Sequence, residues 1–179
     1  SSEPSYEEKG WFEYFPQHIG FDGRCGDNLY WYVDDENILT IFGTGAMYDY
    51  GSDNNKAPWR SLNLAPKSLV LEEGITHIGN YAFYYCSGFT GSLTIPNSVT
   101  TIGNAAFYYC DGFTEVYSSA EVAPTLGTNA FANINENATL YYLASSEPSY
   151  DEKGWFNYFS KRIGLGKCGD NLYWYVDDE

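Results

Sequence analysis

Apolar positions in the middle of the chain recur at a fixed interval. Ile78, Ile102 and Leu126 stand 24 residues apart, and so do Phe83, Phe107 and Phe131. Residues 78–90 (IGNYAFYYCSGFT) and 102–114 (IGNAAFYYCDGFT) agree at eleven of thirteen positions, and Leu126-Gly127-Thr128-Asn129-Ala130-Phe131 is a third, decayed copy. Phe89 and Phe113 form a further column that ends at Asn137. Within one period, SLTIPNSVTTIG predicts two short strands, one carrying Leu93 and Ile95 and one carrying Val99, separated by the turn Pro96-Asn97-Ser98. Gly79, Gly103 and Gly127 follow the second strand, where a tight corner favours glycine. The stretch NAAFYYC is too short for a helix and predicts a helical turn on the opposite side. One such coil cannot bury its apolar faces alone, so the pattern predicts a mostly β fold, a short solenoid of stacked coils of about 24 residues.

The flanks carry other patterns. In NLYWYVDDENILTIF, Leu29, Trp31 and Val33 alternate with Tyr30 and Tyr32, a turn spans residues 34–37, and Leu39 and Ile41 continue on a second strand. This predicts an N-terminal β-hairpin cap over the open start of the coils, with Met47 and Trp59 packed beneath it. At the other end Pro148 starts a short helix and Gly154 stops it. Trp155, Phe156, Tyr158 and Phe159 then form a short helical, aromatic C-terminal cap.

A longer period encloses the short one. CGDNLYWYVDDE occurs at 25–36 and again at 168–179, and residues 1–20 return at 145–164 with 15 of 20 positions identical. The expected organisation is one unit plus a fraction of a longer tandem array. Residues 1–20 are the end cap of a preceding unit, 21–66 the hairpin cap and loop, and 67–144 the coils. Residues 145–164 are the end cap, and 165–179 the start of the next unit. The links at 21–24 and 165–167 are too short for a free tether. They predict a rigid unit junction carried by Trp11, Phe12 and Tyr14, by their counterparts Trp155, Phe156 and Tyr158, and by the strand with Leu172, Trp174 and Val176. That strand lacks the partner strand of its hairpin, which leaves an edge open to association.

The sequence IxxIGxxAFxxCxxF followed by LTIPxSVTxIGxxAFxxC resembles the BspA-like leucine-rich repeat family. The hairpin CGDNLYWYVDDENILTIFGTGAM, the APW at 57–59 and the terminal LYYLASSEPSYDEKGW resemble the modules that flank those repeats. Departures are Phe89 and Phe113 in place of the usual Leu, a third coil without its Cys and proline turn, and only two to three coils between the caps. The resemblance implies a leucine-rich-repeat solenoid on an exported protein at the surface of a bacterium or of certain protists. It also implies adhesion to matrix proteins or other cells, with no catalytic activity in the repeats.

Composition narrows the chemistry. Nine basic residues against 24 acidic ones give a net charge of −15, which speaks against a nucleic-acid partner, since phosphate contacts need clustered Lys or Arg. Direct membrane insertion is not expected of this segment, because no apolar run reaches the length of a span. His18 becomes Arg162 in the second long copy and His77 becomes Thr101 in the next coil, so neither marks catalysis, and His77 is expected on a solvent-facing strand edge. No enzyme, cofactor or metal site is expected.

Cys86 and Cys110 hold one place in successive coils, and Cys25 and Cys168 are copies of another; all read as small buried residues. A Cys86–Cys110 bridge stays open as an alternative. The acidic groups at 34–36 and at Asp49 and Asp53 read as solvated turns rather than calcium loops. Asn137-Ala138-Thr139 is a glycosylation sequon in a eukaryotic host.

Tyrosine stands out, with 18 in the chain. Tyr84 with Tyr108 and Tyr85 with Tyr109 repeat with the coil and predict two aromatic columns. One tyrosine of each pair is expected in the core and the other exposed for contact with a protein or glycan. Two functions follow: an adhesion or binding module, or a structural link whose partner is the neighbouring copy.

Overall fold

A computed structural model describes residues 23–60 and 66–167 and the backbone of residues 173–174. Among the described residues the fold is mostly β with one short α-helix, and the sheets are parallel except at two antiparallel strand pairs. The first face is formed by β1 (Leu29–Val33), β2 (Ile38–Gly43), β4 (Ser68–Leu71), β6 (Gly91–Ile95), β8 (Phe113–Ser118), β10 (Thr139–Leu143), β11 (Lys161–Lys167) and β12 (Tyr173–Trp174). It divides into a three-stranded sheet of order β1-β2-β4 and a five-stranded sheet of order β12-β11-β10-β8-β6. A second face, of order β3-β5-β7-β9, contains β3 (Gly45–Ala46), β5 (Ile75–Ile78), β7 (Thr101–Ile102) and β9 (Thr125–Leu126). Residues one period apart meet across these ladders: His77 faces Thr101, and Thr101 faces Thr125.

The third side has no helix, only paired turns, and its hydrogen bonds alternate. The amides of Ala82, Tyr84 and Cys86 donate three residues back, to Gly79, Tyr81 and Phe83. Those of Tyr81, Phe83 and Tyr85 donate onward to Asn104, Ala106 and Tyr108 of the next coil, and the next coil repeats the scheme onto Thr128, Ala130 and Ala132. Every second amide thus closes a turn and the others staple the stack, so these backbone groups are satisfied without a helix. The geometry forces Tyr81, Tyr85, Ala105 and Tyr109 to positive φ, and Asn129 and Asn133 in the third coil.

The core is an aromatic spine. Trp59, Phe83, Phe107 and Phe131 stack in series with centroids 5.4, 5.1 and 5.1 Å apart, and Trp155 follows Phe131 at 5.3 Å. Each tryptophan also anchors to backbone: Trp59 Nε1 donates to the Ala82 carbonyl at 2.8 Å, and Trp155 Nε1 to that of Pro124 at 2.9 Å. Such stacks contribute about 0.5–1.5 kcal/mol per pair beyond area burial. Phe89 and Phe113 form a second column, 5.7 Å apart.

Asparagine runs beside the spine. Asn80 Oδ1 accepts from the Asn104 amide at 2.6 Å, Asn104 Oδ1 from the Thr128 amide at 2.7 Å, and Asp49 Oδ1 from the Asn80 amide at 2.8 Å. The glycines beside them sit where coils nearly touch. A Cβ on Gly103 would lie 2.5 Å from Asn80 N, and one on Gly127 would lie 2.6 Å from Asn104 N. Close approach, not a left-handed corner, therefore explains Gly79, Gly103 and Gly127, whose φ values are not positive.

Other expectations are refined. The hairpin β1–β2 forms, and Trp59 and Met47 are buried. Its second strand also pairs in parallel with β4, from Ile38 with Ser68 to Ile41 with Leu71, so the hairpin itself begins the stack. Residues 145–164 pack on the repeats: helix α1 (Glu147–Glu152) places Tyr150 in the core, where its hydroxyl meets Ser118 Oγ at 2.9 Å. That contact fills the place where the third coil has Ser118 in the Ile95 column. Residues 165–167 are not a bare link, because they belong to β11, which pairs in parallel with β10. His77 lies on an interior strand and not at a sheet edge, half-buried, with Nδ1 2.6 Å from Thr101 Oγ1.

Candidate binding surface

The paired turns display the tyrosine columns. Tyr84 and Tyr108 stack at 5.2 Å and 20°, and Tyr85 and Tyr109 at 4.7 Å and 17°. Neither member of a pair enters the core, which takes Phe83 and Phe107 instead. Tyr84 and Tyr108 are half-buried, while Tyr85 is 54% exposed and Tyr109 37%. Tyr81 meets the edge of Tyr84 at 5.2 Å, so five rings form one patch. Partial desolvation pushes the Tyr84 hydroxyl up, helped by Tyr85, Tyr108 and Asp53, and pushes that of Tyr85 up beside Tyr109. Tyr84 and Tyr85 therefore present neutral phenols at physiological pH.

One cation borders the patch. The Arg60 guanidinium lies 5.1 Å from the Tyr84 ring centre. Arg60 Nη1 and Nη2 donate to the carbonyls of Gly51 and Ser52 at 3.2 and 3.3 Å, which fixes the fork. A held guanidinium over a tyrosine face adds a polar anchor to a flat aromatic surface. Such a surface suits planar or CH-rich partners with hydroxyl or carboxylate groups at their rim.

A second stacked pair lies on the first sheet face. Tyr117 and Tyr141 are register partners with rings 4.4 Å apart at 9°. The Tyr141 hydroxyl donates to Glu115 Oε1 at 3.4 Å, and desolvation, with the Glu115 carboxylate beside it, pushes the Tyr117 hydroxyl up to about 12. This pair was not singled out from the sequence, although the signal was present: the two tyrosines are also 24 residues apart.

The remaining candidate residues make contacts that hold the fold. Asp34 Oδ1 accepts from the Glu36 and Ile38 amides at 3.0 and 2.9 Å and so closes the hairpin turn. Asp49 holds the Asn80 amide and lies 3.5 Å from His77 Nε2. No group of three or more His, Cys, Asp or Glu side chains suited to a metal ion occurs among the described residues. Cys25, Cys86 and Cys110 are free thiols; Cys25 and Cys110 are buried as expected, but Cys86 is only half-buried. Burial pushes Cys25 and Cys86 up to about 12 and Cys110 well above the usual thiol value. Cys110 also donates to the Phe83 carbonyl at 3.0 Å. Asn137 is exposed in a turn, 3.3 Å from Lys161 Nζ.

Of the junction residues, Trp155 and Tyr158 pack against Phe131, and Phe156 lies under the Arg162 guanidinium at 4.3 Å. Trp174 is described in its backbone alone, as part of β12. Trp11, Phe12, Tyr14, His18, Cys168, Leu172 and Val176 lie outside the described residues. No helix among the described residues is long and apolar enough to cross a membrane.

Comparison with known proteins identifies a repeat family over the middle of the chain. The family model described as the BspA type leucine rich repeat region matches residues 62–152, just over half of the 179. No curated protein matches the chain. A leucine-rich repeat protein from Eubacterium ventriosum, solved as a crystal structure, is 24% identical, with a TM-score of 0.48. The match covers 68% of this chain and 37% of that one, so the chain spans little more than a third of that protein's length.

Proposed function

The chain belongs to the BspA type leucine rich repeat family, and from that premise we propose that it is a non-enzymatic extracellular module that binds a protein or glycan at a cell surface. Proteins of this family are repeat proteins, often surface-associated and typically without catalytic activity. In this reading the stacked coils are a short solenoid. The β1–β2 hairpin caps its start, and α1 with the aromatic residues after it caps its end. The observation that carries the binding role is the exposed Tyr85–Tyr109 stack. Two large rings lie open to solvent next to two half-buried ones, although packing of the spine does not require them there. Tyrosine is a preferred anchor in interfaces because a large amphipathic ring costs little conformational entropy to fix.

The test uses the double variant Tyr85→Ser/Tyr109→Ser, screened against immobilised matrix glycoproteins and a glycan array. Both side chains are exposed, so the melting temperature is expected to stay within about 2 °C of the parent. Capture is expected to fall at least tenfold, about 1.4 kcal/mol. Undiminished capture by a folded double variant would exclude this surface. The second reading, a structural link in a stalk or filament of successive units, is favoured by the repeated segments 1–36 and 145–179. Both roles are compatible in one array.

A further inference from the structure

The two copies of CGDNLYWYVDDE are each preceded by a glycine and a basic residue, Gly23-Arg24 in the first and Gly166-Lys167 in the second. In both places that dipeptide pairs with the same Tyr-Trp of the hairpin strand that follows. Gly166 is opposite Trp174 and Lys167 opposite Tyr173 in the antiparallel pair β11–β12. At the start of the chain Arg24 bridges Tyr30, also antiparallel, and the Trp31 amide donates to the Gly23 carbonyl at 2.8 Å. The sequences leading into the two dipeptides differ, IGFD against IGL, yet the same joint forms.

Strand β11 also has a second flank. Its residues from Lys161 to Leu165 pair in parallel with Thr139 to Leu143 of β10. One strand therefore has the last repeat of its own unit on one side and the opening of the next unit on the other. At the far end of the unit, β1 leads through β2 to β4, and the Thr90 amide donates to the Lys67 carbonyl at 2.8 Å where the coil of β4 meets that of β6.

We propose that successive units join by sheet continuation: the 161–167 strand is shared, and its partner is the hairpin strand of the next copy in the same chain. The first face then continues across the boundary between units, instead of ending at a cap joined by a tether. Each unit supplies seven strands to that face (β1, β2, β4, β6, β8, β10 and β11). At about 4.8 Å per strand, the advance per unit is roughly 34 Å. The joint also covers the strand edge that an isolated unit would leave open to other chains. The inference does not depend on what the tyrosines bind.

Amide hydrogen exchange on the full chain, read residue by residue by NMR, tests the joint directly. Trp174 and Trp31 are both expected to exchange on the order of a hundredfold more slowly than an unstructured amide. Free exchange at Trp174 beside protected amides in Trp31 and β10 would overturn the proposal. The second measurement is small-angle scattering from the chain extended by one further complete unit. The maximum dimension is expected to grow by roughly 34 Å at constant cross-section. A scattering profile of two bodies with variable separation would also overturn it.

Discussion

At Ala105 the backbone adopts φ +50° with a side chain that disfavours it. A left-handed L-residue costs about 1–2 kcal/mol, which glycine avoids and asparagine softens. The third coil already has Asn129 and Asn133 at the two left-handed sites, where the earlier coils have Tyr81, Tyr85, Ala105 and Tyr109. Ala105→Gly is therefore expected to stabilise the chain by about 1 kcal/mol, seen as a rise of about 2–4 °C in melting temperature. Two residues earlier the sign reverses. Gly103→Ala sets a methyl 2.5 Å from Asn80 N, a backbone atom that can move only if the neighbouring coil moves. Its expected cost is about 1–3 kcal/mol. Equal melting temperatures for the two variants would refute this division of roles. The sequence marked Gly103 as special but not why, because contact between coils is invisible in one period. It gave no sign of the left-handed sites, because three of the four residues there in the first two coils are tyrosines that a turn rule would not select.

The elements show where legibility stops. Columns of Phe and Ile at a strict period of 24 announced the stack, the two strands of each coil and the two tyrosine columns, though not that both columns lie outside the core. The structure adds β2 as a member of the parallel run, although it pairs with β4 at a spacing of 30 residues (Leu39 opposite Leu69), which breaks the period. It also adds β11, KRIGLGK, whose few apolar residues give weak alternation; the open edge of β10 recruits it. Arg60 was not legible as part of the patch, since loop geometry alone brings it to Tyr84. The spine predicts the cost of breaking the stack. Phe107 is stacked on both sides, at 5.1 Å each, and is fully buried. Phe107→Ala is expected to lose about 3–5 kcal/mol in urea unfolding, through the cavity and both ring contacts. A loss below about 1 kcal/mol would mean that the stack collapses onto the gap and that the spine is not the main support.

For the whole molecule, the buried acids that titrate at high pH set the direction of its pH response. A thiol or phenol becomes charged by losing its proton, so burial keeps the proton on in the folded chain. Cys25 and Cys86 are pushed from 9.0 to about 12, Tyr150 from 10.0 to about 12, and Cys110 well above 9.0, each mainly by desolvation. As pH rises the unfolded chain loses these protons first. Stability is thus fully present below about pH 9 and falls as pH climbs from there through about 12. Once pH passes about 12 the loss at Cys25 is on the order of 4 kcal/mol, and at the half-buried Cys86 less, against the ~5–15 kcal/mol that keeps a domain folded. The net charge of −15 adds self-repulsion of the same sign as further anions form. Urea midpoints are therefore expected to stay level from pH 7 to 9 and to drop steeply between 9 and 11. Cys25→Ala is expected to flatten that drop, because it removes one of the linked protons. Mapping of alkylation should find Cys25, Cys86 and Cys110 unmodified in the folded chain at pH 8 and modified in urea. Midpoints that hold constant to pH 11, with the same three thiols unreactive, would show that the thiols do not govern stability.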